Sequence, residues 1–107
     1  MPFVPDAGDI LWLDFTPHAG HKQAGRRPAL VMSPAMYNRI GMMICVPLTT
    51  KIKGNPFEVP IAGAPANVAL ADQVRNLDWK ARNAAPKGKA TADELEAVRK
   101  LTRMLVG

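Results

Sequence analysis

Six basic residues, Lys22, Arg26, Arg27, Arg39, Lys51 and Lys53, lie between positions 16 and 57, and no carboxylate stands among them. The acidic residues all fall outside that stretch. Two segments that carry these cations, residues 18–27 and 49–55, form a positive surface wherever a fold brings them together, and phosphate is the commonest ligand of such a surface. A solvated basic face has the same pattern, and charge alone does not separate the two. Over the whole chain 14 Lys and Arg oppose 9 Asp and Glu, a formal charge of +5 that favours polyanionic partners. The residues give little for metal or thiol chemistry. Cys45 is the single cysteine, so no intrachain disulfide is possible, and with only His18 and His21 beside it there is no four-ligand zinc set.

A chain of 107 residues is long enough for one hydrophobic core, which predicts a single domain over 1–107. Apolar residues at 48% and charged residues at 21% are ordinary globular usage, and 10 Pro with 8 Gly predict a turn-rich domain. The longest apolar run, residues 42–48, is broken by Pro47 and far short of a bilayer span, and no basic segment precedes an apolar one at the N-terminus. The expectation is a cytoplasmic protein with no membrane segment and no structural metal.

Residues 9–15 (DILWLDF) read as a strand buried on one face and partly on the other. The following Gly-bearing segment, HAGHKQAGRRP, reads as a surface loop. Residues 28–32 form a second strand. Ser33-Pro34 then supplies an N-cap hydroxyl and a proline at the first helical position, starting a short helix through Arg39 that Gly41 stops. Residues 42–48, 57–61 and 68–71 read as three more strands, joined by connections too short for crossover helices, so the sheet is largely antiparallel. Thr91-x-x-Glu94 is a capping box, and Leu95, Val98, Leu101 and Leu105 fall on one stripe of a C-terminal helix that covers the sheet. These elements predict a mainly β fold with helices, a small, strongly bent antiparallel sheet or SH3-like barrel. Trp12, Trp79 and Phe57, in apolar strand contexts, are expected to be packing residues.

The order of short words along the chain resembles the MazF branch of the MazF/PemK toxins, small sequence-specific endoribonucleases (mRNA interferases) of type II toxin–antitoxin systems. The likeness runs through VPDAGDILWLDF, QAGRRPALVMSP, MYN, CVPLTT, KGNPFEV and VALADQV to Trp79-x-Ala81-Arg82, and so covers nearly the whole chain. It implies cleavage of single-stranded RNA by attack of the ribose 2′-OH on the adjacent phosphodiester, without metal or other cofactor, leaving a 2′,3′-cyclic phosphate and a 5′-OH. Such chemistry needs a base for the 2′-OH proton, a donor to the leaving oxygen and donors to the charge that builds on phosphorus.

Carried over by resemblance, Arg27 is the catalytic arginine, whose fork suits the non-bridging oxygens of a phosphorane. Thr49 matches the family's catalytic hydroxyl residue, which hydrogen-bonds the phosphate and is not the nucleophile; two threonines at a strand end also satisfy backbone donors in a turn. Arg26 points to the opposite side of an extended chain and serves affinity. Lys22 departs from the branch, whose type member carries an acidic residue just before Gln-Ala-Gly, and a charged lysine accepts no proton. His21 then stands as the candidate base, supported by an ordinary pKa near 6.5 and by the Gly-His-x-Gln setting of PemK relatives. Asp72 is the second candidate, with an ion pair to Arg75 or Arg82 as its structural alternative. Phe15, Pro17, Lys22, Gln23, Lys53, Asp72 and Gln73 flank the RNA groove in this reading, with a place in the core as the alternative for Phe15.

The resemblance also implies a homodimer with Met42-Met43-Ile44 near its two-fold axis, and a MazE-like antitoxin whose acidic tail occupies the basic groove. Two rivals remain. CcdB-like gyrase poisons share the fold but end in Trp-Gly-Ile, whereas this chain ends Met104-Leu105-Val106-Gly107. A non-catalytic RNA-binding domain is the other, with Lys22 marking lost chemistry.

Overall fold

The computed structural model describes residues 3–15 and 25–107. Seven strands and two helices follow in the order β1 (Asp9–Asp14), β2 (Arg26–Val31), α1 (Ala35–Asn38), β3 (Met42–Thr49), β4 (Glu58–Ile61), β5 (Asn67–Leu70), β6 (Arg75–Asp78), β7 (Ala85–Lys89) and α2 (Ala92–Val106). The strands form one curled antiparallel sheet with the path β4-β5-β3-β2-β1-β7, and β6 joins it on β3.

β3 is the spine of this sheet. It pairs with β2 through residues 45–47, while its other edge takes β6 at residues 42–45 and β5 at Leu48 and Thr49. Its neighbours show why these sequences are apolar almost without alternation. Ile10, Leu30, Val46 and Leu48 face a core closed by α2. Leu11, Leu13, Ala29, Val31, Met43 and Cys45 face a second core closed by Leu77 and Trp79. Strands covered on both faces lose the polar half of the period-two pattern.

α2 carries the expected capping box: Thr91 Oγ1 accepts from the Glu94 N–H at 3.1 Å, and Glu94 Oε1 accepts from the Thr91 N–H at 2.8 Å. Val98 is fully buried beneath it, worth about 1.5–3 kcal/mol by area, with Leu95 and Leu101 packed beside it. The expected stripe is shorter than its spacing implied. Leu105 is exposed, and Thr102, its hydroxyl donating to the Ala71 carbonyl at 3.0 Å, takes the buried place one turn earlier.

The short helix α1 corrects another expectation. Its N-cap is Pro34, with no side-chain cap, and the Ala35 N–H donates to the Asp6 carboxylate at 2.9 Å instead. That backbone N–H, with the Ala7 N–H adding a second, holds the Asp6 carboxyl below its ordinary range. Ser33 is drawn inward. Its hydroxyl donates to Asn38 Oδ1 at 2.6 Å and accepts from the Ile44 N–H at 2.8 Å. Asn38, fully buried, donates to the Pro5 and Ser33 carbonyls and receives the Trp79 indole N–H at its own carbonyl. Gly41, at φ +107°, then turns the chain out of α1 as expected.

Two strands lie outside the sequence-based set. β6 (RNLD) buries only Leu77, and β7 (APKGK) buries nothing fully and contains Pro86 and Gly88. Both exist because a partner edge is available, β3 for one and β1 for the other.

Candidate active site

The β2–β3 ladder fixes the heart of the site. Its last pair at this end is Ala29↔Pro47, and continuing the register by two residues sets Arg27 against Thr49. Residues two apart on a strand share a face, so this geometry places a guanidinium and a hydroxyl side by side where the ladder ends. Both residues also contribute to the lining of a cavity of about 610 Å³, whose apolar residues Ile10, Leu48 and Ile61 belong to the first core, whereas by the register Arg27 lies opposite Leu13 on the second-core face.

The cavity lining combines cationic and apolar residues. Lys51 and Lys87 line it with Arg27, no carboxylate does, and Ile10, Leu48 and Ile61 contribute the apolar wall. Among the described residues the ion pairs are Arg26–Asp14, Lys89–Asp9 and Arg103–Glu96, so no carboxylate there neutralises Arg27. Thr49 Oγ1 accepts from the Lys51 N–H at 3.0 Å. The turn reading of this threonine is thus met, and the hydroxyl keeps its own proton to donate to a ligand.

Residues 62–65, the β4–β5 connection, form another wall. They are tied to α2 by Glu94, whose Oε2 accepts from the Ala62 N–H at 2.7 Å while its Oε1 completes the capping box. The two backbone donors, Thr91 first and Ala62 next, hold the Glu94 carboxyl below its ordinary value of 4.5.

The remaining expected residues are distributed differently. Arg26 lies next to Arg27 in sequence but donates to Asp14 at 3.0 Å, away from the cavity lining. Asp14 also accepts from Asn83, and these two hydrogen bonds, Asn83 first, lower its pKa. Phe15 is half-buried against the second core, with the Arg75 guanidinium 5.4 Å from its ring centre. Lys53 sits in the β3–β4 loop, where its N–H and that of Gly54 donate to the Glu58 carboxylate, and it does not line the cavity. Asp72 and Gln73 are exposed in the β5–β6 turn, beyond the far edge of β3 from β2, and they too lie off the cavity. Asp72 forms no ion pair with Arg75 or Arg82 among the described residues. Arg82 donates instead to the Asp14 and Phe15 carbonyls. Pro17, His21, Lys22 and Gln23 lie outside the described residues.

Two residues in the cavity are corrections to the sequence reading. Trp12, expected to pack, is 37% exposed and lines the cavity. Lys87 was not singled out, because β7 has no hydrophobic period to reveal it, and its ammonium lies 5.3 Å from the Trp12 ring centre. Trp79 does pack, as expected.

Residues 6–105 match the family model described as PemK-like, MazF-like toxin of type II toxin-antitoxin system. The chain belongs to that family. It is 50% identical over 107 residues to the endoribonuclease toxin MazF of Escherichia coli K12, covering 98% of this chain and 96% of that one. The crystal structure of MazF from Deinococcus radiodurans superposes with a TM-score of 0.89 at 50% identity over 99% of both chains. A MazE-MazF crystal structure from the same organism matches with a TM-score of 0.86 at 45% identity, covering 99% of this chain and 98% of that one. The family also accounts for the curled sheet with its C-terminal helix, which the MazF structures share.

Proposed function

We propose that this chain is a sequence-specific endoribonuclease toxin of a type II toxin–antitoxin system that cleaves single-stranded RNA without a metal ion. One observation supports this reading: the β2–β3 register, continued by two residues, sets Arg27 opposite Thr49 on one face of neighbouring strands, and no carboxylate among the described residues pairs with Arg27. An RNA phosphate bound there receives two hydrogen bonds from the Arg27 fork and a third from the Thr49 hydroxyl. The ribose 2′-oxygen attacks phosphorus, its proton passing to a base, and a P–O2′ bond forms as the P–O5′ bond breaks and the leaving oxygen takes up a proton. Arg27 offsets the charge that accumulates on the non-bridging oxygens, which is where preorganised donors do most for the rate. His21 is the proposed base. Asp72, in the β5–β6 turn, is the second candidate.

Relatives support the biological setting. The Escherichia coli protein is an endoribonuclease toxin, and the Deinococcus radiodurans MazF is seen with MazE. We extend both to this chain: a MazE-like antitoxin occupies the basic surface and excludes RNA, and the toxin acts in the cytoplasm as a homodimer whose two-fold axis passes near Met42 and the exposed Ile44 of β3. Among the described residues no helix is long and apolar enough to cross a membrane. The test is cleavage of a long mixed-sequence RNA in excess EDTA, with cut sites and end groups mapped. Cuts at one recurring short sequence with cyclic phosphate ends support the proposal; binding without cutting returns the non-catalytic reading.

A further inference from the structure

Arg26 and Arg27 stand side by side on β2, and successive strand residues point to opposite faces of a sheet. In the β1–β2 register Arg27 is opposite Leu13, a residue of the second core, and Arg26 is opposite Asp14. A local slip by one residue exchanges the two arginines. Burial does not guard this stretch as it guards the rest of β2. Ala29, Leu30 and Val31 are fully buried and paired with β3, but that ladder ends at Ala29↔Pro47. The residue beyond it, Pro28, has no N–H to donate, so among the described strands β1 is the partner left to residues 26–28.

The contacts that hold this end of β1 are built around Asp14. One carboxylate oxygen accepts from Arg26 at 3.0 Å, directly across the ladder, and the other accepts from the Asn83 amide at 2.8 Å. Asn83 lies in the turn before β7 at φ +55°, a left-handed conformation that asparagine tolerates. From the same turn Arg82 donates to the Asp14 and Phe15 carbonyls at 3.1 and 2.8 Å, and its own carbonyl accepts the Asp14 N–H at 2.9 Å. One pair beyond Asp14↔Arg26, the Phe15 N–H donates to the Gly25 carbonyl at 2.7 Å. By charge alone a carboxylate next to a surface that receives RNA weakens binding, so what these contacts give Asp14 is a role in placement.

We infer that Asp14, itself held by Asn83, is a positioning residue: by pairing with Arg26 across the β1–β2 ladder it fixes which of two adjacent arginines is presented to the RNA phosphate. The inference rests on the proposed ribonuclease reading and deepens it. With Arg26 held on one face by Asp14, Arg27 is committed to the other, and the placement of a charge-stabilising group by even an ångström has a large effect on rate.

The test measures kcat and KM on RNA carrying the mapped cut sequence, together with hydrogen exchange of the Phe15 amide by NMR. Asp14→Ala is expected to lower kcat about 10–100-fold with KM unchanged or lower, because a misplaced arginine slows the reaction while a lost negative charge favours RNA. Asp14→Asn keeps an acceptor for Arg26, and Asn83 turns its amide oxygen to the new NH2 group, so kcat is expected within about fivefold of wild type. Asn83→Gly, which suits the left-handed turn and removes the amide, is expected to lower kcat about two- to tenfold and to speed exchange at Phe15 about tenfold. In the Asp14→Ala/Arg26→Ala double variant the loss of kcat is expected to match that of Asp14→Ala alone. A wild-type kcat in Asp14→Ala, equal losses in Asp14→Ala and Asp14→Asn, or additive losses in the double variant overturns the inference. If Asp14→Ala is poorly folded, wild-type kcat and Phe15 exchange in Asn83→Gly overturn it instead. Any of these results in a protein whose cleavage depends on Arg27 removes the positioning role alone. A wild-type protein that cleaves no RNA, or an Arg27→Ala variant that cleaves as well as wild type, removes the ribonuclease reading with it.

Discussion

Replacing Glu94 by alanine removes two things at once: the reciprocal half of the α2 capping box and the anchor of the β4–β5 connection that walls the cavity. Each carboxylate oxygen accepts one backbone N–H, at 2.8 Å from Thr91 and 2.7 Å from Ala62, and the side chain is partly exposed. Charge-assisted bonds in such a setting, discounted for solvent, sum to about 1–2 kcal/mol. For a domain of this size the thermal midpoint at pH 7 is then expected to fall by roughly 4–15 °C in Glu94→Ala. Glu94→Gln, with one uncharged acceptor in place of two charged ones, should fall about half as far. The pH dependence has a definite sign. Because the folded carboxyl titrates below its ordinary 4.5, its contribution is complete above that value and is lost as pH falls through the lowered one. The gap between wild type and Glu94→Ala, followed by thermal melts, should therefore close as the solution is acidified. RNA cleavage should show a raised KM with a smaller change in kcat, since residues 62–65 shape the cavity without bearing a reacting group. A midpoint unchanged at pH 7, or a gap that persists to the lowest pH at which the protein folds, refutes this account of Glu94.

Four further outcomes are expected. Arg27→Ala should lower kcat for RNA cleavage about 10²–10³-fold or more while leaving circular dichroism and the thermal midpoint near wild type, because the side chain is exposed. Thr49→Val should cost about 10–100-fold in single-turnover rate and Thr49→Ser much less; equal loss in both would remove the hydroxyl's role. His21→Ala should slow cleavage and flatten the pH–rate profile between about pH 5 and 8, whereas an unchanged profile rules His21 out as the base. The Cys45 thiol, buried and pushed up to about 12 by desolvation, should resist alkylation at pH 8 in the native protein and react promptly once urea unfolds it.

The parts of this molecule that were legible in its sequence are those fixed by local rules or by strong burial. The capping box of α2 needs only Thr91 and Glu94, and the central strands announce themselves by apolar residues on both faces. What escaped depends on distant partners. β7 is a strand because the edge of β1 is open to it, and nothing in Ala-Pro-Lys-Gly-Lys states that. Ser33 looks like an N-cap until Asp6, 29 residues away from Ala35, takes the helix N–H and frees the hydroxyl for Asn38. The site follows the same division. Arg27 and Thr49 come from words whose order resembles a known family, and a two-residue continuation of the ladder register then explains why they meet. Trp12 and Lys87 were hidden because one looked like core and the other lay on a strand without a signature, yet a bulge joins them. Arg26 and Asp72 show the limit of proximity in sequence. One is claimed by Asp14, and the other lies in the β5–β6 turn on the edge of β3 away from β2.

In the proposed mechanism Arg27 and Thr49 act on an RNA phosphate with no metal. Its most direct test is the end chemistry of RNA cut by the wild-type protein and by Arg27→Ala in excess EDTA. The expected products are 2′,3′-cyclic phosphate and 5′-OH ends at one recurring short sequence, absent with the variant; cleavage that stops in EDTA, or that Arg27→Ala retains at the wild-type rate, overturns the mechanism.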